Sequence, residues 1–203
     1  MKLYTAKIAP NPLRVEYFLK EKGIFDEVEL VQVELATEAK EPSHQKRHIF
    51  GRVPVLELDD GQMLSESRAI CTYLEELYPE PNLMGKNGVE RAFIEMHDRQ
   101  VELHVFFPIA NWIRHSHPGL ATLEIPQCPD WAASSEATAR KNTAIIDVEL
   151  GKKPYVAGDN FTIADITLYC ALNFARLGRF KAWEVHANIA IWREKNLERP
   201  AFS

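Results

Sequence analysis

A small α/β layer followed by an all-α domain is the architecture this chain predicts, and three observations carry it. Over residues 1–78, β-rich runs and amphipathic helical runs alternate in the order βαβ, then ββα. Pro79-Glu80-Pro81-Asn82-Leu83-Met84-Gly85 then breaks all periodicity, so residues 79–87 read as a linker. From 88 to 203 strand-like alternation vanishes and only helical spacing remains.

Residues 2–4 form the first strand candidate. In Pro10-Asn11-Pro12, Asn11 can cap a helix and Pro12 suits its first position. That helix runs over 13–22, with Val15, Phe18 and Leu19 on one side and Gly23 as its stop. Residues 28–35 are a β-rich run, which closes a βαβ unit and makes the pair parallel. The stretch 39–49 is polar and weakly periodic and reads as a poorly ordered helix or loop. Residues 55–58 and 63–64 are paired strands around the turn Asp59-Asp60-Gly61. Ser65-Glu66-Ser67 opens a helix with Ala69, Ile70, Tyr73 and Leu74 at apolar positions.

In the second domain, residues 89–114 form one long helical pattern, with a kink expected at Phe107-Pro108. The proline-bearing stretch 115–131 reads as irregular. Helices follow over 134–150, 163–177 and 182–197. Thr162 with Asp165 three residues on is a capping box, and Phe161 can staple against Ile166. Asp165 lies in an apolar segment, so it must be hydrogen-bonded and its role is stability.

A net charge of -5 without a basic cluster argues against nucleic acid or an anionic membrane as partner. Hydrophobic residues at 46% and charged residues at 26% are ordinary for a globular protein, and 203 residues can bury a sizeable core. The opening residues hold no signal-peptide run, and no later segment approaches a membrane span. Cys71, Cys128 and Cys170 are widely spaced, without metal-ligand spacing, so no metal is expected and reduced cytoplasm is the expected compartment.

The segment 51–74 carries chemistry as well as structure. A proline stands at the entrance to a strand, and an acid with two hydroxyls stands at a helix start, where free N–H groups and the dipole receive a carboxylate. Val53-Pro54 followed by Glu66-Ser67-Arg68-Ala69-Ile70 resembles the glutathione-binding half of the cytosolic glutathione transferases. GDNFTIADITL at 158–168 is similar to the start of that family's core helix, so the resemblance covers nearly the whole chain. It implies a thioredoxin-like N-terminal domain over 1–78, an all-helical domain over 88–203, and glutathione as co-substrate.

It further implies a cis proline at Pro54, main-chain pairing of Val53 with the cysteinyl part of glutathione, and Glu66 with Ser67 at the γ-glutamyl end. Arg52 and Lys40 sit where relatives place cations for the glycine carboxylate. The second substrate, a small apolar electrophile, would lie against Phe106, Phe107, Ile109, Asn111 and Trp112, which as an aromatic stripe read equally as core. A homodimer is implied, through the first domain's hairpin side and the second domain's long helix.

Where many relatives carry a serine or cysteine before the first helix, this chain has Ala9-Pro10. Its first helix is most similar to theta-like bacterial and fungal members that lack the usual serine, tyrosine or cysteine donor. In that group a serine and a histidine of the second domain hold a water at the sulfur, and His115 with Ser116 occupy about that place. Asn11 is the other candidate donor, through its amide or its backbone N–H, or else it is a helix cap. Tyr4 is a weaker candidate, or a core residue. Their alternative reading for His115 and Ser116 is a solvated helix end. The expected activity is transfer of glutathione to an electrophile, the rivals being a glutathione-dependent disulfide or peroxide reductase and a non-catalytic binding module.

Overall fold

Strand β1, Lys2–Thr5, is the second strand of a four-stranded sheet in the order β2-β1-β3-β4. The computed structural model describes residues 1–202, and the chain forms two compact units, the first Met1–Pro81 and the second from Asn82 onward. Helix α1, Pro10–Glu21, crosses from β1 to β2, Glu29–Gln32, and the two strands pair in parallel with Leu3 opposite Leu30. Val15, Phe18 and Leu19 of α1 are fully buried with Leu3.

Helix α1 begins three residues before the predicted Leu13. Ala9 is held extended, as a residue before proline is, and Pro10 takes the first helical position. Asn11 and Pro12 therefore lie inside the first turn, where backbone N–H groups have no helical acceptor, so Pro12 is tolerated and Asn11 is not the cap. The weakly periodic stretch contains a 3₁₀ turn, Glu38–Lys40, and a short helix α2, Pro42–Gln45, with His44 and His48 buried. Strands β3, Val55–Glu57, and β4, Met63–Ser65, form the hairpin, Leu56 opposite Leu64. Helix α3, Ser67–Leu77, buries Ile70, Cys71 and Leu74, while Ala69 is exposed. Lys22 is fully buried against Glu75 at 2.6 Å and the Pro81 carbonyl at 2.6 Å.

In the second unit, helix α4, Gly88–Val101, passes through a π turn, Glu102–Phe106, into α5, Phe107–Ser116. The expected break at Phe107-Pro108 takes this form because Pro108 lacks an N–H and crowds the carbonyl four residues back, and a wider turn relieves both. Val101, Val105, Ile109 and Ile113, four apart, are buried in one cluster with Ala164, Leu168 and Ala171 of α7, Ile163–Ala175. Phe106 and Trp112 belong to that cluster and Phe107 is exposed. Helix α6, Pro129–Leu150, packs on α5 and on α8, Ala187–Asn196.

The capping box at Thr162 is present, and the Asp165 carboxylate accepts from the Val156 and Thr162 N–H groups, the Thr162 hydroxyl and the Trp192 indole at 2.8–3.3 Å. Among the described residues no helix is long and apolar enough to cross a membrane.

Candidate functional site

The turn after α2, the entrance to β3 and the first turns of α1 and α3 line one cavity of about 290 Å³ in the first unit. Gly51 adopts φ +59, and a Cβ there would meet the Ala39 carbonyl oxygen at 2.4 Å, so only glycine lets the chain turn towards Arg52 and Val53. The Val53–Pro54 peptide is cis. The β-ladder begins at Val55, so Val53 lies outside it and lines the cavity. The Arg52 carbonyl is held at 2.9 Å by the buried His44 imidazole, while the Arg52 side chain is exposed at the cavity.

Glu66 precedes α3 with φ +70, a conformation that non-glycine residues seldom hold, and it keeps its carboxylate exposed at the cavity. Ser67, next in line, is buried. Its hydroxyl accepts from the fully buried Arg14 guanidinium at 3.2 Å and donates to Asn11 Oδ1 at 3.5 Å. With Oδ1 so engaged, Nδ2 is the donor group that the Asn11 side chain can offer, and Asn11 lines the cavity. Asn11, Arg52, Val53, Pro54, Glu66 and Ser67 thus meet in one place, and their combined chemistry suits a ligand with two charged ends and a peptide middle.

His48 and Phe50 also line the cavity and were not legible in the sequence. His48 is buried, its Nδ1 accepts the Phe50 N–H at 3.1 Å, and its Nε2 is 3.9 Å from Glu66 Oε1. Burial, with help from the charges of His44 and Arg52, holds its pKa below the ordinary imidazole value although Glu66 pulls the other way. Arg14 was missed as well: a lone arginine in an amphipathic helix carries no mark of total burial.

Residues 9–77 match the family described as glutathione S-transferase, N-terminal domain, and residues 132–200 match glutathione S-transferase, C-terminal domain. Glutathione S-transferase 2 of Saccharomyces cerevisiae is 34% identical over 99% of this chain and 87% of its own. The chain belongs to the glutathione S-transferase family. Among solved structures, Gtt2 from Saccharomyces cerevisiae superposes with a TM-score of 0.94 at 33% identity, over 100% of this chain and 98% of that one. A glutathione S-transferase domain-containing protein of Marinobacter aquaeolei superposes at 0.95 with 34% identity, over 100% of both chains. The fold is accordingly the thioredoxin-like layer plus helical domain of the glutathione transferases.

The remaining candidate residues of this transferase lie elsewhere. Lys40 ends the 3₁₀ turn and is not among the residues lining the cavity. The Tyr4 hydroxyl donates to Glu57 at 2.7 Å, beneath the Arg47 guanidinium stacked on its ring. That bond to Glu57, before burial, raises the phenol's pKa, so Tyr4 is occupied as a core residue. Thr5 is likewise bonded to Glu16.

His115 and Ser116 close helix α5 in the second unit. His115 Nδ1 accepts the Cys128 N–H at 3.1 Å, and Ser116 donates to the Trp112 carbonyl at 2.7 Å. No group of three or more metal-binding side chains assembles among the described residues.

Proposed function

We propose that this glutathione S-transferase binds glutathione in the first unit's cavity and lowers the pKa of its thiol for attack on small apolar electrophiles. The observation that carries the reading is the sorting of groups around one cavity. Glu66 is placed to attract the γ-glutamyl ammonium, while Ser67 and the N–H groups of α3 receive its carboxylate. Val53, outside the ladder, offers main-chain bonds to the cysteinyl residue, and Arg52 a cation to the glycine carboxylate, with Lys40 as its second.

A free thiol ionises near pH 8.5, and a hydrogen bond donated to sulfur favours the thiolate. Asn11 Nδ2–H is the proposed donor; His115 and Ser116 are the alternative. The thiolate adds to the electrophilic carbon or displaces its leaving group. Of the three cysteines, Cys71 and Cys170 are buried and none lines the cavity, which disfavours a cysteine-based reductase. An odd, widely spaced set of three cysteines also fits a reduced cytoplasm.

The deciding experiment is the ultraviolet difference spectrum of bound glutathione across pH. A thiolate band well below pH 8.5, lost in Asn11→Ala, supports the reading with Asn11 as donor. A band that survives in that variant transfers the role to His115 and Ser116. Binding without a thiolate band sinks the transferase mechanism and leaves a glutathione-binding module.

The same reading includes a homodimer. Val89, Phe93 and Met96 form an exposed apolar row at helical spacing on α4, and a second copy is the proposed cover. A monomer mass by light scattering at micromolar concentration overturns this part.

A further inference from the structure

His44 sits on α2, buried behind the cavity wall and not among the residues that line it. Its Nε2 lies 2.9 Å from the Arg52 carbonyl oxygen. A carbonyl can only accept, so the ring carries a proton on Nε2 and donates it there. Its Nδ1 is buried and has no hydrogen-bond partner among the described residues. The ring also meets Tyr4 edge-on, with centroids 6.4 Å apart. Burying an imidazole with one nitrogen unpartnered costs stability that an apolar ring of similar shape avoids. The bond to Arg52 is what this ring supplies and an apolar ring does not.

That bond fixes more than a carbonyl. The Arg52–Val53 peptide is planar and trans, so its C=O and N–H point in opposite directions. With the carbonyl turned inward to His44, the Val53 N–H is turned outward, on the side where Arg52 and Val53 line the cavity. The ladder register of β3 begins at Val55, so strand pairing does not hold this peptide plane in place.

We propose that His44 is a positioning residue for glutathione, a role that rests on the first unit's cavity being the glutathione site. By holding the Arg52 carbonyl, His44 aims the Val53 N–H at the carbonyl oxygen of the cysteinyl residue. Without a donor at position 44 the Arg52–Val53 peptide is free to rotate, and the ligand meets an N–H that is no longer aligned with it.

His44→Gln and His44→Phe together test this. Glutamine Nε2 stands as many bonds from the backbone as histidine Nε2 and restores the donor, whereas phenylalanine fills the space without one. Glutathione affinity is read by calorimetric titration at neutral pH, and the Val53 amide is followed by NMR in protein carrying isotope-labelled valine. Wild type and His44→Gln should bind alike, each with the Val53 amide proton moving downfield as glutathione is added. His44→Phe should bind about tenfold more weakly, the worth of one hydrogen bond, and without that movement. Wild-type affinity in His44→Phe overturns the proposal, as does a loss in His44→Gln equal to that in His44→Phe. Weaker binding in His44→Phe with the Val53 movement intact overturns it too, because His44 then supports the fold and not the N–H. If the wild type itself does not bind glutathione, the cavity reading is refuted and this role falls with it.

Discussion

His48 Nε2 stands 3.9 Å from Glu66 Oε1, and its Nδ1 is occupied by the Phe50 N–H, so the neutral ring carries its proton on the nitrogen nearer Glu66. Burial keeps the folded pKa below 6.5. At pH 7 Glu66 thus faces a neutral imidazole and its carboxylate stays available to an incoming ammonium. An imidazolium would compete for that carboxylate.

Glutathione affinity should therefore fall as pH drops below 6.5, by at most about tenfold per pH unit for a single linked proton. Calorimetric titration between pH 5 and 8 reads this directly, and His48→Gln should flatten the acid limb. The stability sign agrees: a depressed histidine pKa means the contribution is complete above 6.5 and is lost as pH falls through the folded value. An acid limb unchanged in His48→Gln would remove His48 from the account, whereas no binding at any pH would refute the cavity assignment itself.

Ser67 links the ligand site to the core through Arg14 Nη1 at 3.2 Å. Ser67→Ala withdraws a hydroxyl from the ligand and an acceptor from a buried guanidinium. A hydrogen bond to a charged group is worth about 1.5–3 kcal/mol, so glutathione affinity should fall roughly tenfold or more. Melting temperature should also drop, by about 2–4 °C per kcal/mol for a chain this size. Equilibrium dialysis and a thermal melt test the two effects. Unchanged affinity with a lowered melting point would reduce Ser67 to a purely structural residue.

Features set by neighbours in sequence were legible. The β3–β4 hairpin follows from Asp60 and Gly61, whose φ is +85, and the Asp60 carboxylate takes the Gln62 N–H at 2.9 Å as such turns do. The Thr162–Asp165 capping box was readable for the same reason, since both partners lie within one turn.

The start of α1 was misread because Pro10 and Pro12 each satisfy the same local rule, and only the extended Ala9 decides between them. The π turn at Glu102–Phe106 has no sequence period of its own. Burial of Arg14 and His48 depends on segments far along the chain, such as α3 and the residues around Glu66. The family resemblance therefore picked out six residues that line the cavity, while His48, Phe50 and the buried Arg14 behind Ser67 went unseen.

Asp165 offers the sharpest test of the second unit. Burial, as the largest influence, raises its pKa to about 6 despite donors from Val156, Trp192 and Thr162. The folded chain keeps this proton to about pH 6, whereas an unfolded carboxyl loses it near 3.8, so the group's contribution to stability declines as pH rises between those values. Asp165→Asn abolishes the titration but turns an NH₂ towards one pair of donors, which costs on the order of 2 kcal/mol. The wild-type advantage in thermal melts should be largest near pH 4 and shrink towards pH 7, because only the wild type must ionise a buried acid. A difference that stays constant or widens over that range would show that Asp165 is ionised in the folded state throughout, with its four donors outweighing its burial.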